Sequence, residues 1–169
     1  MANYYFDANA LIKYSLLQEY KIRLGEIEQG IDEIQKLVSS HDNKIFFSSL
    51  TLLETWKVIF DNYRKGVFGE RRKTKNRNLE KVLTQLENDL KQPPFEVLDV
   101  IINENVITQS RQLIVRYGSE YNTGTLDMLH LALIQQSTLQ DLIMVSSDRG
   151  IKTICNDESI SIFDPQSLS

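Results

Sequence analysis

Four acids, Asp7, Glu54, Asp127 and Asp148, sit in this chain where a carboxylate is out of place unless a cation binds it. Asp7 follows the apolar run Tyr4-Tyr5-Phe6, and Asp148 comes just after Leu142-Ile143-Met144-Val145, so each marks the end of an expected buried strand. Glu54 and Asp127 fall inside mainly apolar helical stretches. Carboxylates that converge repel one another and take up protons unless a hard divalent cation, Mg²⁺ or Mn²⁺, accepts their oxygens. One or two such ions hold a phosphodiester, lower the pKa of a bound water from about 15.7 towards about 7, and offset charge on the leaving 3′ oxygen. The chemistry expected of the set is therefore metal-dependent nuclease chemistry. Asp7 is the expected central ligand, Asp148 and Asp127 direct or water-mediated ligands, and Glu54 a ligand or a group orienting the attacking water. Asn9 and Ser146, each a short polar side chain beside an acid, are candidates for orienting carboxylates or waters.

Each acid taken alone has a plainer role. An Asp after a strand caps the next helix, as Asp7 or Asp148 would. Asp127 in a first helical turn complements the helix dipole, and Glu54 can reach solvent along its stem. What points to a metal is the four together, two at strand ends and two on core-facing helices.

The elements that must position them alternate along the chain. Residues 3–7 read as a strand and 8–19 as a helix, followed by a helix over 22–38 and a strand over 44–47. Ser48-Ser49 can cap the next helix, whose apolar stripe is Leu50, Leu53, Trp56, Ile59 and Phe60. Leu79 to Leu90 repeat with helical period and stop at Pro93-Pro94. A strand over 95–100, a helix over 104–117, a polar break over 118–124 and a helix over 126–136 follow. The pattern closes with a strand over 143–145, a short helix over 149–155 and a strand over 160–163. Such alternation implies a mostly parallel sheet covered on both faces, with a crevice at the carboxyl ends of the strands where strand order reverses. If the first and fourth strands are neighbours there, Asp7 and Asp148 face each other. With 169 residues, no internal repeat and no linker-like composition, one domain over 1–169 is expected.

A net charge of −4 argues against a nucleic-acid partner until its distribution is considered. Between Arg64 and Arg77 lie seven basic residues, Arg64, Lys65, Arg71, Arg72, Lys73, Lys75 and Arg77, against Glu70 alone. That segment is +6, leaving the rest of the chain at −10. Such a run is usually a solvated surface; beside an acidic metal site it reads as a contact for a nucleic-acid backbone. Gly66 and Gly69 are expected to loosen it. The single cysteine, Cys155, excludes an internal disulfide and reads as a small buried hydrophobe, and two histidines offer no zinc cluster. His130 reads as a packed group ahead of a general base, and Trp56 and Tyr63 as core residues ahead of base-stacking ones. No signal peptide and no membrane-length apolar run is apparent, which points to a cytoplasmic protein.

These residues also carry a resemblance. Tyr5-Phe6-Asp7-Ala8-Asn9-Ala10-Leu11-Ile12-Lys13 resembles the opening of the PIN-domain family, where a strand ends in Asp with a small polar residue two places on. Ser48-Ser49-Leu50-Thr51-Leu52-Leu53-Glu54 is similar to its second motif, Asp127-Met128-Leu129-His130-Leu131-Ala132 to its third, and Ser146-Ser147-Asp148 to its fourth. The resemblance implies a three-layer α/β/α sandwich with a five-stranded parallel sheet, and a Mg²⁺- or Mn²⁺-dependent nuclease site built from the matching acids. Size and helix pattern look most like the VapC-type toxins of toxin–antitoxin pairs, which implies RNA as substrate, a small antitoxin protein as partner and a homodimer. The chain departs from the family pattern in having Ser146 where Thr is commoner, no further acid in Arg149-Gly150, and a long basic insert after Glu54. A non-catalytic RNA-binding or scaffold protein of the same fold is the alternative. An Asp-nucleophile phosphotransferase would want an acid where Asn9 stands, and a nucleotide binder would want a Gly-rich phosphate loop after a strand.

Overall fold

The computed structural model of the chain describes residues 2–15, 30–121 and 123–167. Five strands, β1 (Ala2–Phe6), β2 (Asn43–Phe47), β3 (Phe95–Val97), β4 (Leu142–Val145) and β5 (Ile162–Phe163), form one sheet in the order β3-β2-β1-β4-β5. Every pairing is parallel. Tyr5 stands opposite Phe46 on one side and Met144 on the other, so β1 and β4 are the neighbours expected at the switch point.

Among the described residues, seven helices connect the strands: α1, helical over 8–15; α2 (Ile31–Ser39); α3 (Ser49–Arg64); α4 (Arg72–Asp89); α5 (Glu104–Tyr117); α6 (Thr125–Gln136); and α7 (Arg149–Asp157). Expected helical residues 16–19 and 22–29 lie outside the described residues. Strand side chains alternate between faces, and here both faces are apolar because helices cover both. Tyr5, Phe46, Leu142 and Met144 pack with Val106, Leu113, Leu131, Ile151 and Ile154 from α5, α6 and α7. Phe6, Ile45, Phe47 and Val145 pack with Leu11, Ile34, Leu37, Val82 and Leu86 from α1, α2 and α4. The three-layer α/β/α arrangement follows from that two-residue alternation. Cys155 is buried in the first layer, where burial pushes its thiol up to about 12, so it stays a protonated hydrophobe.

Three expected boundaries are corrected. α4 begins at Arg72, not Leu79, so most of the basic run is helix and not a loosened loop. β3 ends at Val97, which is exposed, and not at Val100; β5 holds only Ile162–Phe163 of the expected 160–163. The apolar stripe of α3 is also split: Leu50 and Ile59 are buried, whereas Leu53 is 71% and Phe60 41% exposed. Trp56 is half-buried against Phe60, and Tyr63 holds Asn76 through its hydroxyl while Lys75 lies 4.2 Å over its ring.

Candidate active site

The strand ends deliver two of the four acids to one place. Asp7, directly after β1, is 5% exposed, and Asp148, three residues after β4, is exposed at the start of α7. Both line a cleft of about 280 Å³ together with Asn9, Ala10, Lys13, Val145, Ser146, Ser147, Pro165 and Gln166. Its far wall depends on Gly30, whose φ of 86° and contact with Pro165 exclude a side chain: a Cβ there would lie 2.8 Å from the Pro165 carbonyl oxygen.

Local hydrogen bonds fix how each acid is presented. The Ala10 N–H donates to Asp7 Oδ1 at 2.8 Å, and the Ile151 N–H donates to Asp148 Oδ1 at 2.9 Å, so Asp148 is both the N-cap of α7 and a cleft residue. Buried Ser146 connects the two. Its hydroxyl bonds the Asp7 carboxylate and accepts the Asp148 N–H at 3.2 Å. Asp127 Oδ2 accepts the Gly124 N–H at 2.7 Å across the first turn of α6, half of a capping box that glycine has no side chain to complete. Glu54 Oε2 is held by His130 Nε2 at 2.6 Å.

The charges of the set act on one another. Burial pushes the Asp7 carboxyl up to about 6, with Asp127 adding to the rise and Ala10, His130 and Ser146 opposing it. Asp127 is raised as well, first by burial and then by Asp148 and Glu54. Glu54 and Asp127 are outside the lining of the cleft, yet they lie within electrostatic reach of it. Among the described residues no three His, Cys, Asp or Glu side chains converge as a ready metal cage. The capping bonds tie one oxygen each of Asp7, Asp127 and Asp148 to the backbone. The donor set is oxygen-rich and its most buried member is disfavoured as an anion, which is the environment a hard cation relieves.

Sequence reasoning missed Lys13, buried against the cleft one helical turn beyond Ala10; that i+3 spacing on α1 was the available signal. It also missed the buried hydroxyls of Ser48 and Thr51, which meet the Tyr5 hydroxyl behind the acids, and the bond from that hydroxyl to His130. Gly150 leaves little room for a side chain two residues after Asp148: a Cβ at this position would lie 2.6 Å from Thr123 Cγ2 and 3.2 Å from Asp148 Oδ1.

The seven basic residues gather elsewhere. Arg64 ends α3, Lys65 caps it, Arg71 precedes α4, and Arg72, Lys73, Lys75 and Arg77 lie along the first turns of α4. All but Lys75 are exposed. Lys65 and Arg71 line a second cleft, of about 700 Å³, with Gly66, Val67, Gly69, Glu70 and Thr74, and it shares no lining residue with the acid cleft.

A wholly parallel α/β/α sheet with acids at its switch point defines the class, and the sequence defines the family. Residues 4–156 match the family model of the PIN domain, and the chain belongs to the PIN-domain family. Solved structures share the fold at low identity. The chain resembles VapC20 of Mycobacterium tuberculosis, a sarcin–ricin loop cleaving toxin, at 14% identity and TM-score 0.58, covering 89% of this chain and 94% of that one. It also resembles VapBC2 of Rickettsia felis bound to a promoter DNA fragment, and VapBC-1 of nontypeable Haemophilus influenzae. Both of these match at 14% identity and TM-score 0.56, covering 96% of this chain and 98% of theirs. No curated protein matches the sequence.

Proposed function

We propose that the protein is a Mg²⁺- or Mn²⁺-dependent endoribonuclease acting as the toxin of a toxin–antitoxin pair. The observation that carries this reading is Asp7: a carboxylate buried at the switch point, held by Ala10 and Ser146, and raised in pKa among further acids. Asp7, Asp127 and Asp148 would hold one or two ions, with Glu54 as a further ligand or as the group orienting water. When bound, the ion polarises the scissile phosphodiester and acidifies the attacking water. Ser146 holds Asp7 and Asp148 in register, and Asn9 at the cleft rim is placed to orient a water or phosphate oxygen. Lys13 adds a cation to the same cleft.

Several features support the rest of the reading. The exposed run from Arg64 to Arg77 suits the backbone of a long RNA, gripped away from the scissile bond. VapC20 is named as a cleaver of the sarcin–ricin loop, and two of the similar structures are VapBC assemblies, which favours RNA as substrate and an antitoxin as partner here. Exposed Leu53 and Phe60 flank Trp56 on one side of α3, a surface suited to a homodimer. No helix among the described residues is long and apolar enough to cross a membrane.

The test is cleavage of total RNA by purified protein. Mn²⁺ should support cleavage, EDTA should stop it, and Asp7→Asn should lower it on the order of 10³-fold while the fold is retained. Undiminished cleavage by that variant would overturn the assignment. Light scattering on the same preparation should give twice the chain mass of 19.6 kDa; one chain mass at micromolar concentration would reject the dimer.

A further inference from the structure

His130 follows Asp127 by three residues on α6, but it does not face the cleft. It is 2% exposed, and both ring nitrogens are engaged. Nε2 meets Glu54 Oε2 at 2.6 Å, and Nδ1 meets the Tyr5 hydroxyl at 2.6 Å. Tyr5 is fully buried on β1, and its hydroxyl continues to Ser48 Oγ at 2.8 Å and Thr51 Oγ1 at 3.3 Å. Thr51 in turn donates to the Phe6 carbonyl at 3.1 Å, one residue before Asp7. Ser48 and Thr51 also close the capping box of α3, the helix that carries Glu54.

The direction of the decisive bond does not depend on how the hydroxyl hydrogens are arranged. A carboxylate only accepts, so Nε2–H donates to Glu54 whether the Tyr5 oxygen donates to Nδ1 or accepts from it. Burial raises the Tyr5 phenol well above its ordinary range, which keeps that proton in the chain. A buried imidazole with one partner removed would be left with an unsatisfied nitrogen, so the members support one another.

We propose that His130 and Tyr5 are positioning residues: a buried polar tether running from the Phe6 carbonyl through Thr51, Ser48, Tyr5 and His130 to Glu54. The tether fixes Glu54 relative to Asp7 across three elements, β1, α3 and α6. This inference rests on the reading of the acids as a metal site. Its consequence is that the acid constellation is pre-set by the protein before an ion arrives, so removing an interior histidine that lies outside the cleft should weaken metal binding. Groups that orient ligands from behind typically change metal affinity by about 10- to 100-fold.

Mn²⁺ titration by calorimetry, without RNA, tests the tether in the full chain. His130→Leu should weaken Mn²⁺ binding about tenfold or more. His130→Gln should recover most of it, because its amide nitrogen can take the place of Nε2 as donor to Glu54. Tyr5→Phe keeps the ring and removes only the hydroxyl; it should weaken binding about threefold to tenfold, and it carries the test if the leucine variant does not fold. Wild-type affinity in all three, or glutamine as weak as leucine, would overturn the proposal. If the wild type binds no Mn²⁺, the metal-site reading fails, and the tether is then decided by proton NMR of the metal-free protein. A slowly exchanging His130 Nε2–H resonance that shifts in Glu54→Gln and in Tyr5→Phe supports it, and absence of that resonance refutes it.

Discussion

The acid cleft and the basic α3–α4 junction are built in opposite ways. In the cleft, Asp7 is buried and bonded to Ala10 and Ser146, and Asp148 is both an N-cap and a partner of Ser146. At the junction, Arg64 pairs with Asp61 on its own helix, which also takes Lys57, and the neighbouring cations project into solvent. Surface pairs of that kind contribute about 0–1 kcal/mol and are screened by salt. The difference matches the two tasks proposed. Chemistry at a phosphorus atom needs groups held within about half an ångström, whereas gripping a polyanion needs only charge in reach.

The strongest way to expose this contrast is to remove the buried charge. Asp7 titrates at about 6 in the fold against an ordinary 3.8. Between those values the native state holds a proton that the unfolded chain has released, so the stability of metal-free protein falls as pH rises from about 4 to about 6 and is level above that. Each pKa unit corresponds to about 1.4 kcal/mol, so the full penalty is about 3 kcal/mol at pH 7. Asp7→Asn keeps an oxygen to accept the Ala10 N–H and removes the charge. In EDTA it should therefore be more stable than wild type by about 2–3 kcal/mol at pH 7 and about equal at pH 4. Saturating Mn²⁺ should raise the melting temperature of the wild type only. Parallel pH–stability curves for the two proteins would contradict the picture of a strained, ion-seeking site.

At the junction the same logic predicts an effect on binding and not on chemistry. Charge reversal at Arg71, Arg72 and Lys73 should weaken single-stranded RNA binding at least tenfold at low salt. It should also flatten the slope of log affinity against log salt by about 2, since each neutralised phosphate contributes about 0.7. Single-turnover cleavage at saturating RNA should stay within about twofold of wild type. An unchanged salt slope would detach the basic run from RNA, and a collapse of single-turnover rate would erase the distinction between the two regions.

That distinction also governs what could be read before any coordinates. The meeting of Asp7 and Asp148 in one cleft was legible because each comes after an apolar strand run, and α5 keeps the bounds Glu104 and Tyr117 expected of it. The start of α4 was not. Its first turns, from Arg72 to Asn78, carry no apolar residue to show a period, and the helix is anchored further along by Val82 and Leu86. Exposed Leu53 misled in the other direction, since it fits the α3 stripe by spacing but faces away from the core. The link from Tyr5 to His130 spans 125 positions, and nothing in either local sequence announces it. The separation of the two clefts is likewise a product of packing, invisible to a count of charges.

One glycine in each region gives the finest test of that separation. At Gly66, φ is 84° and no atom lies within 4 Å of where an alanine methyl would sit, so alanine there meets only backbone strain, about 1 kcal/mol. At Gly150 the backbone is not left-handed, but a methyl group would press on Thr123 Cγ2 at 2.6 Å and on Asp148 Oδ1 at 3.2 Å. Overpacking of this kind typically destabilises by about 1–3 kcal/mol, and the gain in helix propensity from glycine to alanine offsets up to about 1 kcal/mol of it. Gly66→Ala and Gly150→Ala should therefore lose similar stability, on the order of 1 kcal/mol each, by urea denaturation. Only Gly150→Ala should also weaken Mn²⁺ binding, by a few-fold (about the effect of half a kcal/mol or more), because its methyl group presses directly on Asp148 Oδ1. Equal Mn²⁺ affinity in the two variants would mean that the cleft tolerates displacement of Asp148 as readily as the junction tolerates a twist at Gly66, and the claim that geometry is held tightly at one and loosely at the other would fall.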